Sequence, residues 1–256
     1  MLVVGTSIVG YSIKVEDGEL GTVSDFLVDD RSWRLRWLVV ETGSWLSERQ
    51  VLIHPSAIEK VDHERSSLTL QLTRKQVKDS PSVTTDQPVS RQKEVLLYDY
   101  YGWDPLWGTG LYDMDMLGGY IGPPRYFGPQ DMQRAMDMAE RNKDDDPHLR
   151  SLAILKGYHV HATDGSIGHV ENILIDDSSW DIRYLIIDTS NWWMGKHVLI
   201  SPYAVDDVSW SNHQISLNVS RAKVKASLPW DPMKLITELE ERGLHTHYGW
   251  PGYRWL

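Results

Sequence analysis

The chain has no cysteine among its 256 residues. That excludes disulfides, thiolate metal sites and a thiol nucleophile, and it fits a reducing cytoplasm, the location expected here. Phenylalanine is almost missing too. Two Phe stand against twelve Trp and twelve Tyr, so the aromatic weight lies in side chains that keep a polar handle. No apolar run approaches the ~18 residues that span a bilayer. Trp37-Leu38-Val39-Val40, among the longest, is strand-sized. The first residues show no basic stretch followed by a long apolar core, so neither a secretory leader nor membrane insertion is expected. Basic residues are in the minority, 26 Lys and Arg against 36 Asp and Glu, for a net charge of −10. Direct contact with a nucleic-acid backbone, which needs clustered cations, is disfavoured.

What is present is one pattern written twice. Asp17-Gly18-Glu19-Leu20-Gly21-Thr22-Val23 returns as Asp164-Gly165-Ser166-Ile167-Gly168-His169-Val170, 147 residues later. Val28-Asp29-Asp30-Arg31-Ser32-Trp33 returns as Ile175-Asp176-Asp177-Ser178-Ser179-Trp180 at the same offset. The register holds from Gly10/Gly157 to Ser80/Ser227, with about a third of paired positions identical, so the chain is a tandem repeat. Within each copy the residues read as short strands. Val23 to Val28 and Leu35 to Val40 form a hairpin around the Asp-Asp turn. Val51-Leu52-Ile53 is a buried strand stopped by Pro55. Leu68 to Leu72 alternates with period two, and Thr73 caps a helical turn through Val77. Five or six such strands in some 75 residues predict a small barrel, which removes exposed edges by closing.

These residues resemble the PRC-barrel family. The resemblance rests on the Asp-Gly-x-x-Gly-x-Val opening, the strand into Val-Asp-Asp, the return Arg36-Trp37-Leu38-Val39-Val40, and Val51-Leu52-Ile53-x-Pro55. It covers about residues 5–80 and 152–227. Pro88-Val89-Ser90-Arg91-Gln92 and Tyr100-Tyr101-Gly102-Trp103 are similar to the tail of stand-alone bacterial members. Family barrels occur in the cytoplasmic part of the photosynthetic reaction-centre H subunit and in the C-terminal part of a ribosome maturation factor. The membrane helix of the first and the extra N-terminal barrel of the second have no counterpart in this sequence. The resemblance therefore implies a protein-interaction module and brings no catalytic residues.

Candidate sites follow from residue type. Tyr101-Gly102-Trp103 and Tyr248-Gly249-Trp250 repeat with their barrels, so each barrel carries an aromatic tail. Tyr101, Trp103, Trp107, Tyr248, Trp250 and Trp255 are the partner-binding candidates, because Tyr and Trp dominate interface hot spots. The competing expectation is that each tail folds back over a barrel. Gly18, Gly21, Gly165 and Gly168 should serve tight turns. Asp29, Asp30, Asp176 and Asp177 should be turn-formers rather than paired acids. His159-x-His161 and His245-x-His247 place imidazoles on one face if extended, with His169 as a third candidate. The first copy has no equivalents of these histidines, and no metal is expected. Gly108-Thr109-Gly110 lacks the Lys and the context of a phosphate loop, and Asp164 to Gly168 is no nucleophile elbow. Trp37/Tyr184 and Trp45/Trp192 should pack in cores or between barrels.

The expectation is a mainly β protein of two tandem PRC-like barrels related by a pseudo-twofold, with short helices and aromatic tails. The barrels should span residues 1–82 and 148–229. Residues 83–147 should hold the first tail, a short helix over 131–141 and an acidic linker, and residues 230–256 a C-terminal helix and tail. The function expected is a non-catalytic adaptor for a protein partner, in its most specific form a soluble relative of the reaction-centre H subunit. No cofactor is expected, the barrels should pack on each other, and a homo-oligomer is left open. The alternatives are a stress-response binder of small molecules or metals, walled by residues 98–126, and a docking factor acting on a basic ribosomal protein.

Overall fold

The computed structural model describes residues 1–30, 32–46, 49–81, 91–103, 149–190, 196–231 and 234–253. The expected helix over 131–141, Trp107, Trp192, Trp255 and the Gly108-Thr109-Gly110 stretch lie outside them. The chain forms two compact units, Val9–Arg150 and a second made of Met1–Ile8 with Ser151–Leu256.

In the first unit, β2 (Ser12–Val15), β3 (Gly18–Asp29), β4 (Arg34–Glu41), β5 (Gln50–Ile53), β6 (Ile58–Asp62) and β7 (Ser67–Leu70) form one ladder in the order β5-β4-β3-β2-β7-β6. All pairs are antiparallel except β2 with β7. The two outer strands of this path, β5 and β6, are consecutive in sequence. A single 3-10 turn, Pro55–Ala57, joins them, with Ala57 N–H donating to the His54 carbonyl at 3.0 Å. The two ends of the path are thus joined by covalent chain but not by a ladder, so the closed barrel expected from the sequence is not seen as a closed hydrogen-bonded ring among the described residues. A proline suits this turn because no ladder bond is asked of its nitrogen.

The second unit repeats this with β9 (His159–Ala162), β10 (Gly165–Asp176), β11 (Ile182–Asp188), β12 (His197–Ile200), β13 (Val205–Ser209) and β14 (Gln214–Leu217), in the order β12-β11-β10-β9-β14-β13. Short helices α2 (Arg74–Lys78) and α5 (Arg221–Lys225) follow β7 and β14. Thr73 caps α2 in a reciprocal box with Gln76, as the sequence predicts.

Register sorts the apolar residues onto two faces. Phe26, Leu38 and Ile53 lie side by side across β3, β4 and β5, as do Val23, Val40 and Val51. Ile173, Leu185 and Ile200 are their counterparts in the second unit. These residues fill one face. Leu27 and Trp37 sit opposite each other on the other face, as do Val39 and Leu52, and all four are buried as well. A strand buried on both sides reads as a continuous apolar run, which explains Trp37-Leu38-Val39-Val40.

The Asp turns are held by local hydrogen bonds. Trp33 N–H donates to the Asp29 carbonyl at 2.8 Å and Trp180 N–H to that of Asp176 at 2.7 Å. Ser32 and Ser178 donate backbone N–H groups to the Asp29 and Asp176 carboxylates. Asp30 faces Arg150 at 3.9 Å, and Asp177 N–H donates to the Met1 carbonyl.

Residues 1–8 depart from the sequence expectation, which sets them at the head of the first barrel. Strand β1 (Leu2–Val4) instead pairs antiparallel with β10 of the second unit, Val3 opposite Ile175. Helix α1 (Gly5–Ile8) stays with it. Conversely, β8 (Leu149–Ser151), which leads the second copy, pairs with β3 of the first unit. Each sheet gains its seventh strand from the other copy. Alternation marks such a segment as a strand but cannot say whose sheet it joins. Helix α4 (Leu152–Leu155) then opens the second copy.

Gly21 and Gly168 are fixed by a close approach. A Cβ on either would lie 1.9 Å from a backbone oxygen, that of Glu41 or Asp188, at φ +152° or +142°. Gly21→Ala and Gly168→Ala should each lower the urea midpoint sharply, by the equivalent of about 3 kcal/mol or more. Gly10→Ala, strained in φ but with nothing within 4 Å of the new carbon, should cost only about 1–2 kcal/mol.

Candidate functional site

The chemistry-bearing side chains gather where each tail meets its barrel. Helix α3 (Arg91–Tyr101) lies in the first unit and α6 (Glu238–Tyr248) in the second. Leu97 and Tyr98 of α3 close over Leu27, Trp37, Val39, Leu52 and Leu149. Thr237 caps α6 with Glu240 in a reciprocal box, and those hydrogen bonds hold the Glu240 carboxyl below its ordinary range. Gly249 at φ +76° ends the helix in the left-handed conformation, its N–H donating to the His245 carbonyl at 2.8 Å. Trp250 then turns back and stacks on Tyr248, centroids 4.1 Å apart and planes 8° apart. Gly102 at φ +68° allows the same return in the first copy, with Trp103 on Tyr101 at 4.0 Å and 13°. Four partner-binding candidates, Tyr101, Trp103, Tyr248 and Trp250, are therefore used within their own units. Tyr248 is buried and the other three are half-buried.

Sequence reasoning missed the groups that anchor these helices. Glu94 and Glu241, also 147 residues apart, are both buried. Trp37 Nε1 donates to Glu94 at 2.8 Å, and the Arg36 guanidinium lies 3.9 Å away. In the second copy the Tyr184 hydroxyl donates to Glu241 at 2.9 Å and Arg183 Nη2 donates at 3.2 Å. Arg183 also bridges to Asp176 and stacks over Tyr253. Burial raises the Glu241 carboxyl above its usual range even though Arg183 and Tyr184 favour the ionised form. The signal was the 147-residue offset, carried past the barrels to Glu94/Glu241 and back to Arg36/Arg183.

Proton bookkeeping at Tyr184 is tight. Its hydroxyl lies 2.9 Å from both Glu241 and His245 Nε2, and His245 Nδ1 lies 2.6 Å from the Pro251 carbonyl. The carbonyl can only accept, so Nδ1 carries a proton. One hydroxyl proton cannot serve both Glu241 and a neutral Nε2. Burial holds His245 below its ordinary range and pushes the Tyr253 hydroxyl to about 12. In the first copy the imidazole is His54, on the barrel side, packed edge-on to Trp37 and Tyr98. Burial first, and the Arg36 charge second, depress it to about 3.

The remaining histidines take other roles. His245 and His247 sit on a helix, so they do not share the face an extended chain would give them. His245 is buried and His247 lies 2.9 Å from the Lys223 carbonyl. His159 and His161 do share a strand face, with His169 opposite His159 in register. His169 lies 3.6 Å from Asp188 and His197 2.6 Å from Glu171. Among the described residues no three His, Asp or Glu side chains are placed to hold one ion. Trp45 donates its indole N–H to the Leu20 carbonyl. A cavity of about 270 Å³ in the second unit is lined by Leu2, Asp176, Arg183, Leu235, Ile236 and Glu241, and its guanidinium is committed to the two carboxylates.

The PRC-barrel domain model matches this chain twice, over residues 5–77 and 150–223. An uncharacterized protein of Deinococcus radiodurans is 35% identical over 78 residues, which cover 30% of this chain and 28% of that relative. Among the described residues no helix is long and apolar enough to cross a membrane.

The depressed imidazole makes stability depend on pH. Below about 6.5 the unfolded chain binds a proton that folded His54 refuses down to about 3, so stability falls with pH through that window, by at most ~1.4 kcal/mol per unit. His54→Ser installs the residue of the second copy, Ser201, and removes this contribution. The stability gap between variant and wild type, from urea unfolding at a series of pH values, should stay flat above about pH 7 and shift in favour of the variant below 6. Parallel pH profiles would show that His54 takes up its proton without difficulty.

Proposed function

The chain belongs to the PRC-barrel family, and we propose that it is a non-catalytic adaptor that docks a protein partner through its second unit. The observation that carries this reading is a group of exposed leucines around the start of α6. Leu228, Leu235 and Leu239 are 63%, 71% and 79% exposed. Leu228 and Leu235 border an open groove of about 140 Å³ floored by Leu199, Trp230 and Leu244. Two such exposed leucines on one groove, with Leu239 exposed on the helix that follows, mark an interaction surface. The first copy has Pro81, Pro88 and Gln92 at the equivalent positions, so the surface belongs to one copy. The net charge of −10 favours a partner segment that combines apolar and basic residues.

The reading moves the contact away from the tyrosine–tryptophan stacks, which are engaged within their units, while Trp107 and Trp255 stay candidates on sequence grounds. A cytoplasmic site of action fits the absence of cysteine. The more specific form, docking on a membrane complex as the reaction-centre H subunit does, is supported by family membership alone.

The test is affinity capture from soluble and detergent-solubilised extracts of the source cells. Wild type is compared with a Leu228→Ser/Leu235→Ser/Leu239→Ser variant. Such exposed changes should each alter stability by no more than about 0.5 kcal/mol, which thermal unfolding checks. A partner retained by wild type, released by salt and lost by the variant is the expected result. Equal recovery by both proteins, or none by either, would remove these leucines from the function.

A further inference from the structure

The exchange of strands between copies has a consequence independent of the adaptor reading. Strand β1 is held in the second unit by three register pairs, Leu2 with Asp176, Val3 with Ile175 and Val4 with Leu174. Helix α1 follows it, with Gly5 nested against Ile173, Leu152 and Ile175. A Cβ there would lie 2.8 to 3.2 Å from those side chains. Ile8 is fully buried. Asn172 ties the segment down from the side, its amide donating to Thr6 Oγ1 at 2.7 Å and its carbonyl accepting from Thr6 N–H at 3.3 Å. The segment is thus a plug of eight residues seated on β10. Only Val9, Gly10 and Tyr11 connect it to β2 in the other unit.

We propose that this plug is exchangeable, and that its partner is a second copy of the same chain. Three observations support this. The groove on β10 is already filled by a strand from outside its own repeat, so sequence continuity with the second copy is no requirement for occupancy. The exchange is mutual, since β8 of the second copy completes the sheet of the first. The connection is short and contains a glycine, held on β3 by Gly10 N–H donating to the Val23 carbonyl at 2.7 Å, which leaves Val9 as the joint between plug and sheet. Gly10 sits at φ +89° with open space where a Cβ would be, and Gly157 at φ +92° is its counterpart after α4. A plug from a second copy would make every contact that the resident plug makes, and rotation at Val9 would deliver it. The outcome is a reciprocally strand-swapped dimer with no new interface chemistry. A short tether gives the resident plug an effective concentration on the order of mM, so the dimer forms only when chains refold close to that concentration.

The absence of cysteine makes the test clean. In a Val3→Cys/Ile175→Cys variant the two thiols stand directly opposite in register. Refolded dilute and then oxidised, it should cross-link internally and run as a monomer on a non-reducing gel. Refolded at its highest soluble concentration, it should give covalent dimers that revert on reduction, and neither single variant should do so. Wild type refolded in the same way and sized by light scattering should show a dimer fraction that rises with refolding concentration. If the double variant fails to fold, Val4→Cys/Leu174→Cys tests the neighbouring pair. Monomer at every concentration would overturn the proposal. So would a dimer in which residues 3 and 175 are not cross-linked between chains.

Discussion

Trp37 donating its indole N–H to Glu94, and Tyr184 donating its hydroxyl to Glu241, decide how the outer face of each sheet is covered. A carboxylate off a helix and buried against a sheet is strongly unfavourable unless donors meet it. In the first copy the donor is the Trp37 indole, with the Arg36 guanidinium 3.9 Å away as its counter-charge; in the second, Arg183 and Tyr184 both donate. Once that carboxylate is seated, the helix covers a face that water would otherwise wet. Trp37, Val39 and Leu52 become interior residues, and the returning Trp has a Tyr to stack on. The Tyr-Gly-Trp segment of each tail is thereby part of its unit. Removing the Glu94 carboxylate would leave the buried Trp37 indole N–H without its acceptor, at the full desolvation cost of that group.

The two copies meet the same constraint with the titratable group on opposite sides of the helix–sheet junction. Positions 54 and 98 are His and Tyr in the first copy, and positions 201 and 245 are Ser and His in the second. The imidazole has moved from barrel to helix, and burial disfavours its charge in both places. A hydroxyl answers it each time. Ser56 lies 2.8 Å from His54, and Tyr184 lies 2.9 Å from His245. What is kept between copies is one neutral imidazole in an aromatic setting, while the position that supplies it is free to change.

Much of this was legible from residues alone, and the limits have physical causes. The 147-residue offset placed the strands and the Asp turns, because turn chemistry is local and Asp29 or Asp176 needs only its own neighbours. The Tyr-Gly-Trp motif was visible, but its direction was not. Gly102 at positive φ turns Trp103 inward, whereas the aromatic content alone suited an exposed hot spot equally well. Glu94 and Glu241 look like ordinary helix-surface acids, since burial of a charge depends on partners 57 residues away. His245-x-His247 read as a pair only while the segment was taken as extended. The plug was the least legible element. Leu2-Val3-Val4 announces a strand, and nothing in three residues names the sheet that will receive it.

Exchange within one chain bears on how an adaptor of this kind would be built. Two identical copies would present every surface twice and invite two partners. Here the copies share their internal scaffold, down to Glu94/Glu241 and the stacked Tyr–Trp pairs, and differ outside it. The exposed leucines occur in one copy, where the other carries Pro81, Pro88 and Gln92. Because each unit borrows its seventh strand from the other copy, neither sheet is complete when its own copy stands alone. Covalent tandem linkage therefore supplies the strand at high effective concentration and leaves one copy's exterior free to diverge. On the adaptor reading, the stoichiometry that follows is one partner per chain. The first copy would then serve chiefly as the structural complement of the second.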